Sequence, residues 1–134
     1  LETAVRLQPD VANPWINLGE ARLRQQQLGA AIDALGRAVA LSPNAIDARL
    51  YLGQAYLAAR QPDLARPHFE VALHTMPNPS PALVGLVLVH LHAGRSSEAI
   101  GYWNSLKLRD SLAAKALRLR IVAGRVPGAM MLVE

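Results

Sequence analysis

Residues three and four apart along this chain fall on common helix faces. Leu18, Ala21, Arg22 and Gln25 make one such row, and Ile32, Leu35, Val39 and Ser42 another. A period near 3.6 predicts α-helices, and the punctuation between the rows marks where they stop. Asn13-Pro14 is expected to be an N-cap and a first-turn proline, opening a helix that runs to about Gln26. Leu28-Gly29 turns the chain into a second helix from about Ala30 to Leu41, which Ser42-Pro43 stops. A third helix carries Leu52, Gly53 and Tyr56. Pro62-Asp63 opens a fourth, with Pro67 expected in about its first turn, Phe69 and Ala72 facing inward, and Pro77 at its end. Ser80-Pro81 opens a fifth, ALVGLVLVHLHA, whose apolar surface runs nearly all round, as in a buried helix. Gly94-Arg95-Ser96-Ser97-Glu98 is turn and cap for the next, with Ala99 at a tight position. Ser111–Ala123 reads as a further helix and Pro127–Glu134 as the start of one more.

These helices come in pairs, and the pairs repeat. Trp15 to Pro43, WINLGEARLRQQQLGAAIDALGRAVALSP, returns as RLYLGQAYLAARQPDLARPHFEVALHTMP, Arg49 to Pro77. At an offset of 34 residues, Leu18 falls on Leu52, Gly19 on Gly53, Ala31 on Ala65, Ala38 on Ala72 and Pro43 on Pro77. A fixed period of this size is the mark of a solenoid. Gly19 and Gly53, with Ala31 and Ala65, put nothing bulky where the first helix of a pair (A) crosses the second (B), so the backbones can approach closely. Ala38 and Ala72 do the same against the next pair. One pair is too small to bury its own apolar side, so pairs must stack.

The period divides the chain into 12–45, 46–79 and a degenerate unit at 80–109. In the last, Val87 stands where glycine is expected, Trp103 takes the large-residue site and Leu106 replaces alanine. Ala4 and Pro9 fall in step with Ala38 and Pro43, so 1–11 is expected to be the trailing helix of a preceding unit whose first helix is missing. Residues 110–134 form an irregular or partial unit, in which Gly124–Ala129 echoes Gly94–Ala99 at a spacing of 30.

Composition agrees. Of 134 residues, 51% are hydrophobic and only 4% aromatic, which favours close-packed helices in one domain. The absence of cysteine excludes disulfides and thiolate metal sites. The first residue is Leu1 and no basic-then-apolar leader follows, so the chain is expected to be a piece of a longer protein. No apolar run approaches the roughly 20 residues of a membrane span. The nearest, Leu83–Leu91, is broken by His90 and fits a buried helix.

The sites Trp15, Leu18 and Gly19, then Leu52, Gly53 and Tyr56, with alanines at 31, 38, 65 and 72 and prolines at 43 and 77, resemble the tetratricopeptide repeat pattern, W-x2-L-G-x2-Y followed by Ala, a large residue, Ala and Pro. The resemblance covers residues 1–106 well and the remainder weakly. It implies an all-α fold, a right-handed superhelical solenoid of antiparallel helix pairs whose A helices line the inner wall. It also implies a protein-interaction scaffold. In that family the groove is lined mainly by the second, fifth, ninth, twelfth and thirteenth residues of each repeat. Those positions here are Asn13, Ile16, Glu20, Leu23 and Arg24, then Asp47, Leu50, Gln54, Leu57 and Ala58, then Pro81, Val84, Leu88, Leu91 and His92. Ile16 and Glu20 stand where a carboxylate-gripping member of the family would carry lysine and asparagine, which excludes that mode of binding. What remains is an apolar strip, Ile16, Leu50, Leu57, Val84, Leu88 and Leu91, with polar groups at its edges. It suits a partner peptide or amphipathic helix, unless those leucines simply pack against neighbouring helices.

No catalytic constellation accompanies this. Gly19, Gly29 and Gly36 are scattered through helices and turns, not gathered after a strand as a phosphate loop requires. His90 and His92 are two apart, and His68 and His74 six apart, so neither pair shares a face as zinc ligands do. The carboxylates are isolated. The chain reads as a non-enzyme without cofactor or metal. Trp15 and Trp103 read as structural, and Tyr102 as the more exposed neighbour of Trp103.

The net charge of +4 is uneven. Charges balance through Leu106, and the excess lies beyond, in Lys107, Arg109, Lys115, Arg118, Arg120 and Arg125 against Asp110 and Glu134. A solvated basic face is the plain reading. Lys115, Arg118 and Arg120 also make a candidate patch for an acidic partner, with nucleic acid the less favoured one. An alternative function is the self-assembly or regulatory arm of a larger enzyme, such as a glycosyl- or sulfotransferase. Apolar groups at the two ends, Leu1, Val5 and Ala129–Val133, lead to an expectation of end-to-end association.

Overall fold

The computed structural model describes residues 12–123. The expected trailing helix at 1–11, and the expected final helix with Arg125, lie outside the described residues. Within them the chain forms α-helices and no strand. In order these are α1 (Ala12–Arg24), α2 (Leu28–Leu41), α3 (Ile46–Ala58), α4 (Pro62–Thr75), α5 (Ser80–His92), α6 (Ser96–Arg109) and α7 (Ser111–Val122). Each packs on its neighbour in sequence, and α1, α3, α5 and α7 also touch in succession, so the A helices make a continuous wall.

The 34-residue step reappears as a step in burial. Ala31, Ala65 and Ala99 are wholly buried, as are Ala38, Ala72 and Leu106. The large residues Leu35, Phe69 and Trp103 occupy the equivalent place in successive pairs, and all are core. A Cβ at Gly19 would run into the Leu35 side chain, and one at Gly53 would lie 2.7 Å from the Phe69 ring. Those two glycines are therefore the clearance that lets helix A cross helix B. In the third pair Val87 takes that place and shares a core cluster with Trp103. A second clearance lies two residues earlier, at Gly85, where a side chain would overlap the same Phe69 ring. The ring thus lies between α3 and α5 and joins two pairs.

Helix ends also recur. Gln26, Arg60 and Gly94, each 34 residues from the next, hold positive φ of 61°, 63° and 76°. After each, the next amide reaches back to the helix: Gln27 to Arg22, Gln61 to Tyr56 and Arg95 to His90, at 2.9, 2.9 and 2.8 Å. This is the Schellman closure, which uses carbonyls a helix end would otherwise leave unpaired.

Several local expectations need correction. Asn13 lies inside α1 instead of capping it. Pro67 is the sixth residue of α4, not a first-turn residue. It removes the amide that would bond the Asp63 carbonyl, and both residues are exposed, so water can replace it. Ser80 is the first residue of α5 instead of its cap; Pro79 holds the cap position without a side-chain hydrogen bond, and Asn78 Oδ1 accepts from the Ser80 hydroxyl at 2.9 Å. Tyr102, by contrast, is half-buried and so more exposed than Trp103, as expected, and it stacks on His90 with ring centroids 5.5 Å apart. Finally, α6 and α7 are joined through Asp110 alone, whose carboxylate accepts from the Ala113 amide at 3.0 Å and starts α7 without a proline.

Candidate partner groove

The wall of A helices is indented. A groove of about 660 Å³ is lined by Leu23 and Gln26 from the end of α1, by Gln54, Leu57, Ala58 and Arg60 from α3 and its end, by Pro81, Val84, Gly85, Leu88 and His92 from α5, and by Arg120 from α7. Phe69 on α4 shows through between the helices. That opening is a consequence of the two glycines. With no side chain at Gly53 or Gly85, the ring reaches from the second layer to the floor of the first.

Only part of the set expected from the sequence meets here. Leu23, Gln54, Leu57, Val84, Leu88 and His92 line the groove, with Ala58 and Pro81. Leu88 is 7% exposed and forms floor more than wall. Leu91 is 5% exposed and turned into the core with Trp103 and Leu117. Leu50 packs on the cluster around Phe69 and Leu86. Ile16 is half-buried and Asn13 and Asp47 exposed, and none of the three lines the groove. Glu20 pairs with Arg24 at 2.6 Å and borders a separate shallow depression with Asn17, Ala21 and Gln25.

The C-terminal cations divide. Lys115 and Arg118 stand with Lys107 beside Ser111 and Ala114. The Lys107 ammonium and the Arg118 guanidinium each lie 5.9 Å from the Trp103 ring centroid. Arg120 faces the groove instead. Two residues apart on a helix is about half a turn, so the three cannot form one patch.

Sequence reasoning missed Gln26, Arg60, Phe69 and Gly85 as lining residues. For Gln26 and Arg60 the available signal was their register with Gly94, which marks a left-handed turn position. Gly85 carried a weaker one, as a glycine in an otherwise apolar helix.

Electrostatically the groove is one-sided. Among the described residues its charged lining is Arg60 and Arg120, with no carboxylate. Burial holds the His92 imidazole below its ordinary pKa, and the guanidinium charges of Arg60 and Arg120 push it further down. The other shifted histidines belong to the packing between helices. His90, buried on α5, accepts from Arg95 Nε at 2.9 Å, and Arg95 Nη2 also reaches Asp63 Oδ1 at 2.9 Å, tying α4 to the turn before α6. His68 stacks on Tyr56 with centroids 6.0 Å apart and meets Arg49 through Nδ1 at 3.3 Å. Trp15 is half-buried, with the Arg37 guanidinium 5.0 Å from its ring centroid. Among the described residues no cluster of three or more His, Asp or Glu is placed to hold a metal. Nor is any described helix long and apolar enough to cross a membrane.

Comparison with known proteins agrees with this geometry. The model of the tetratricopeptide repeat matches residues 1–46, 16–81 and 50–111. No curated protein matches the sequence. Among solved structures, a crystal structure of MamA protein superposes with a TM-score of 0.74 at 30% identity, over 83% of this chain and 61% of that one. A second crystal structure of MamA gives 0.75 at 30% identity, over 83% of this chain and 65% of that one. The chain therefore spans less than two thirds of either MamA chain. With matches running from residue 1 to residue 111 and helix pairs that restate one packing scheme, the chain belongs to the tetratricopeptide repeat family, an all-α repeat scaffold for protein–protein interaction.

Proposed function

We propose that the groove across α1, α3, α5 and α7 binds a segment of another protein, an amphipathic helix or extended peptide, by its apolar side. The observation that carries this reading is the lining itself. Leu23, Leu57, Val84, Leu88 and the Phe69 ring converge on a cleft of about 660 Å³ that no side chain of the described residues fills. A cleft of that size lies within the range of specific ligand sites. Val84→Glu and Leu57→Glu place a charge on the floor from half-buried positions. Both variants should keep the helical circular dichroism of the wild type while losing partner capture from the parent protein. Val71→Glu, on the exposed side of α4, should lose nothing. Capture unchanged in both groove variants refutes the reading.

A second reading concerns α7. Leu112, Leu119 and Val122 are 78, 65 and 60% exposed, with Leu108 close by at 89%. Such a patch favours association with another copy of the chain. Sedimentation should then show a mass that rises with concentration and falls back to the monomer in Leu112→Glu/Leu119→Glu. A wild type that stays monomeric at millimolar concentration would rule it out.

A further inference from the structure

We propose that the segment bound in the groove is acidic: a row of aliphatic side chains flanked on one side by Asp or Glu, which Arg60 and Arg120 receive. This rests on the groove reading above and adds the chemistry of the partner.

Three observations carry it. First, Arg60 and Arg120 lie far apart in sequence, at the α3 terminus and on α7, yet both line the same groove and both act on His92. Second, neither arginine meets a carboxylate among the described residues, although other arginines here do: Arg24 with Glu20, Arg66 with Glu70, Arg95 with Asp63. Among the described residues, the groove therefore presents two cations without a counter-charge. Third, Arg60 occupies a left-handed turn position, φ 63°, which the next pair fills with Gly94. A side chain is unfavourable there and glycine is not. Gln26, the equivalent residue one pair earlier, is also at positive φ and also lines the groove. The turn geometry thus aims two polar side chains at the cleft from backbone positions where the fold itself would be better served by glycine.

An acidic flank satisfies these groups and an uncharged or basic one does not. A partner carboxylate beside Arg60 and Arg120 would also favour a proton on His92, so binding should strengthen as pH falls. Specificity of this kind comes from complementary charge around an apolar anchor.

The test uses three fluorescein-labelled synthetic peptides with one leucine stripe and flanks of Glu, Gln or Lys, read by anisotropy. The Glu peptide should bind about tenfold more tightly than the Gln peptide at low salt, the size of two partly exposed ion pairs. The difference should fade near 1 M salt, where screening reaches roughly 3 Å. Arg60→Gln/Arg120→Gln should erase the preference, so that the Glu and Gln peptides bind that variant equally. Arg60→Gly is the sharper variant, because it relieves the turn: thermal stability should hold or rise while Glu-peptide binding weakens. Equal binding of the Glu and Gln peptides overturns the acidic assignment but leaves the groove. No binding of any peptide, or Glu-peptide binding that survives Val84→Glu, removes the groove itself. Preference for a single-stranded RNA oligonucleotide over the Glu peptide also overturns the proposal, in favour of a nucleic-acid surface.

Discussion

Two glycines in helices show how differently the same residue can act. Gly36 on α2 has nothing near the place of a Cβ, whereas Gly85 on α5 has the Phe69 ring there. Gly36→Ala should therefore stabilise the fold by about 0.5–1 kcal/mol, the ordinary helix-propensity gain. Gly85→Ala should destabilise it by about 1–3 kcal/mol, because the ring cannot leave without losing contact with both α3 and α5. Denaturant melts of the two variants should thus move in opposite directions, and movement in the same direction would refute this account of the crossing. A third residue-scale effect sits at the turns. Gln26→Gly should stabilise by roughly 0.5–1 kcal/mol, since glycine holds φ near 61° without strain and loses only some unfolded-state restriction.

Among the elements, α5 carries the most. It is buried nearly all round, and its one titratable core side chain, His90, is held below its ordinary pKa. Burial is the main cause and the Arg95 guanidinium the next, with Arg66 adding to it and Glu98 and Glu70 opposing. His68 and His92 are shifted in the same direction. The sign follows from linkage. Below about pH 6.5 the unfolded chain takes up protons that these folded imidazoles resist, so stability falls as pH drops through that value. Protonation of His90 would also abolish its role as acceptor from Arg95 Nε. The melting temperature should fall from pH 7.5 to pH 5.5, and His90→Gln should flatten part of that slope. A melting temperature that rises on acidification would contradict the assignment.

At the scale of the whole molecule, the helices serve to present a surface. The pairs are locked by large residues lying in glycine and alanine clearances, and the A helices are left edge to edge along one side. The groove, its arginines and the exposed leucines of α7 are consequences of that stacking. The family match and the shared fold with MamA support a scaffold, while the chemistry of the partner is a matter for the peptide and association experiments above.

The repeat, the all-α class and the small-residue crossings at Gly19, Gly53, Ala31 and Ala65 were legible from the sequence alone. They depend on interactions within one period, and a fixed offset of 34 residues displays them directly. The departures were legible only in part. Val87 was recognisable as a missing glycine, but that Gly85 supplies a different clearance depended on where the neighbouring pair puts Phe69. The groove shows the same limit. Position within the repeat led to Leu57, Val84, Leu88 and His92, the three apolar ones shared between groove and core, yet Leu50 and Leu91 from the same list pack on core clusters without lining the groove. Whether a leucine faces a cleft or a neighbour is set by the curvature of the stack, which no single repeat contains. Likewise Lys115, Arg118 and Arg120 form one cluster in sequence and two sites in space, and Arg60 and Arg120 line one groove only through the stacking of the pairs. Local periodicity decides what each helix is, and tertiary packing decides which of its side chains remain available to another molecule.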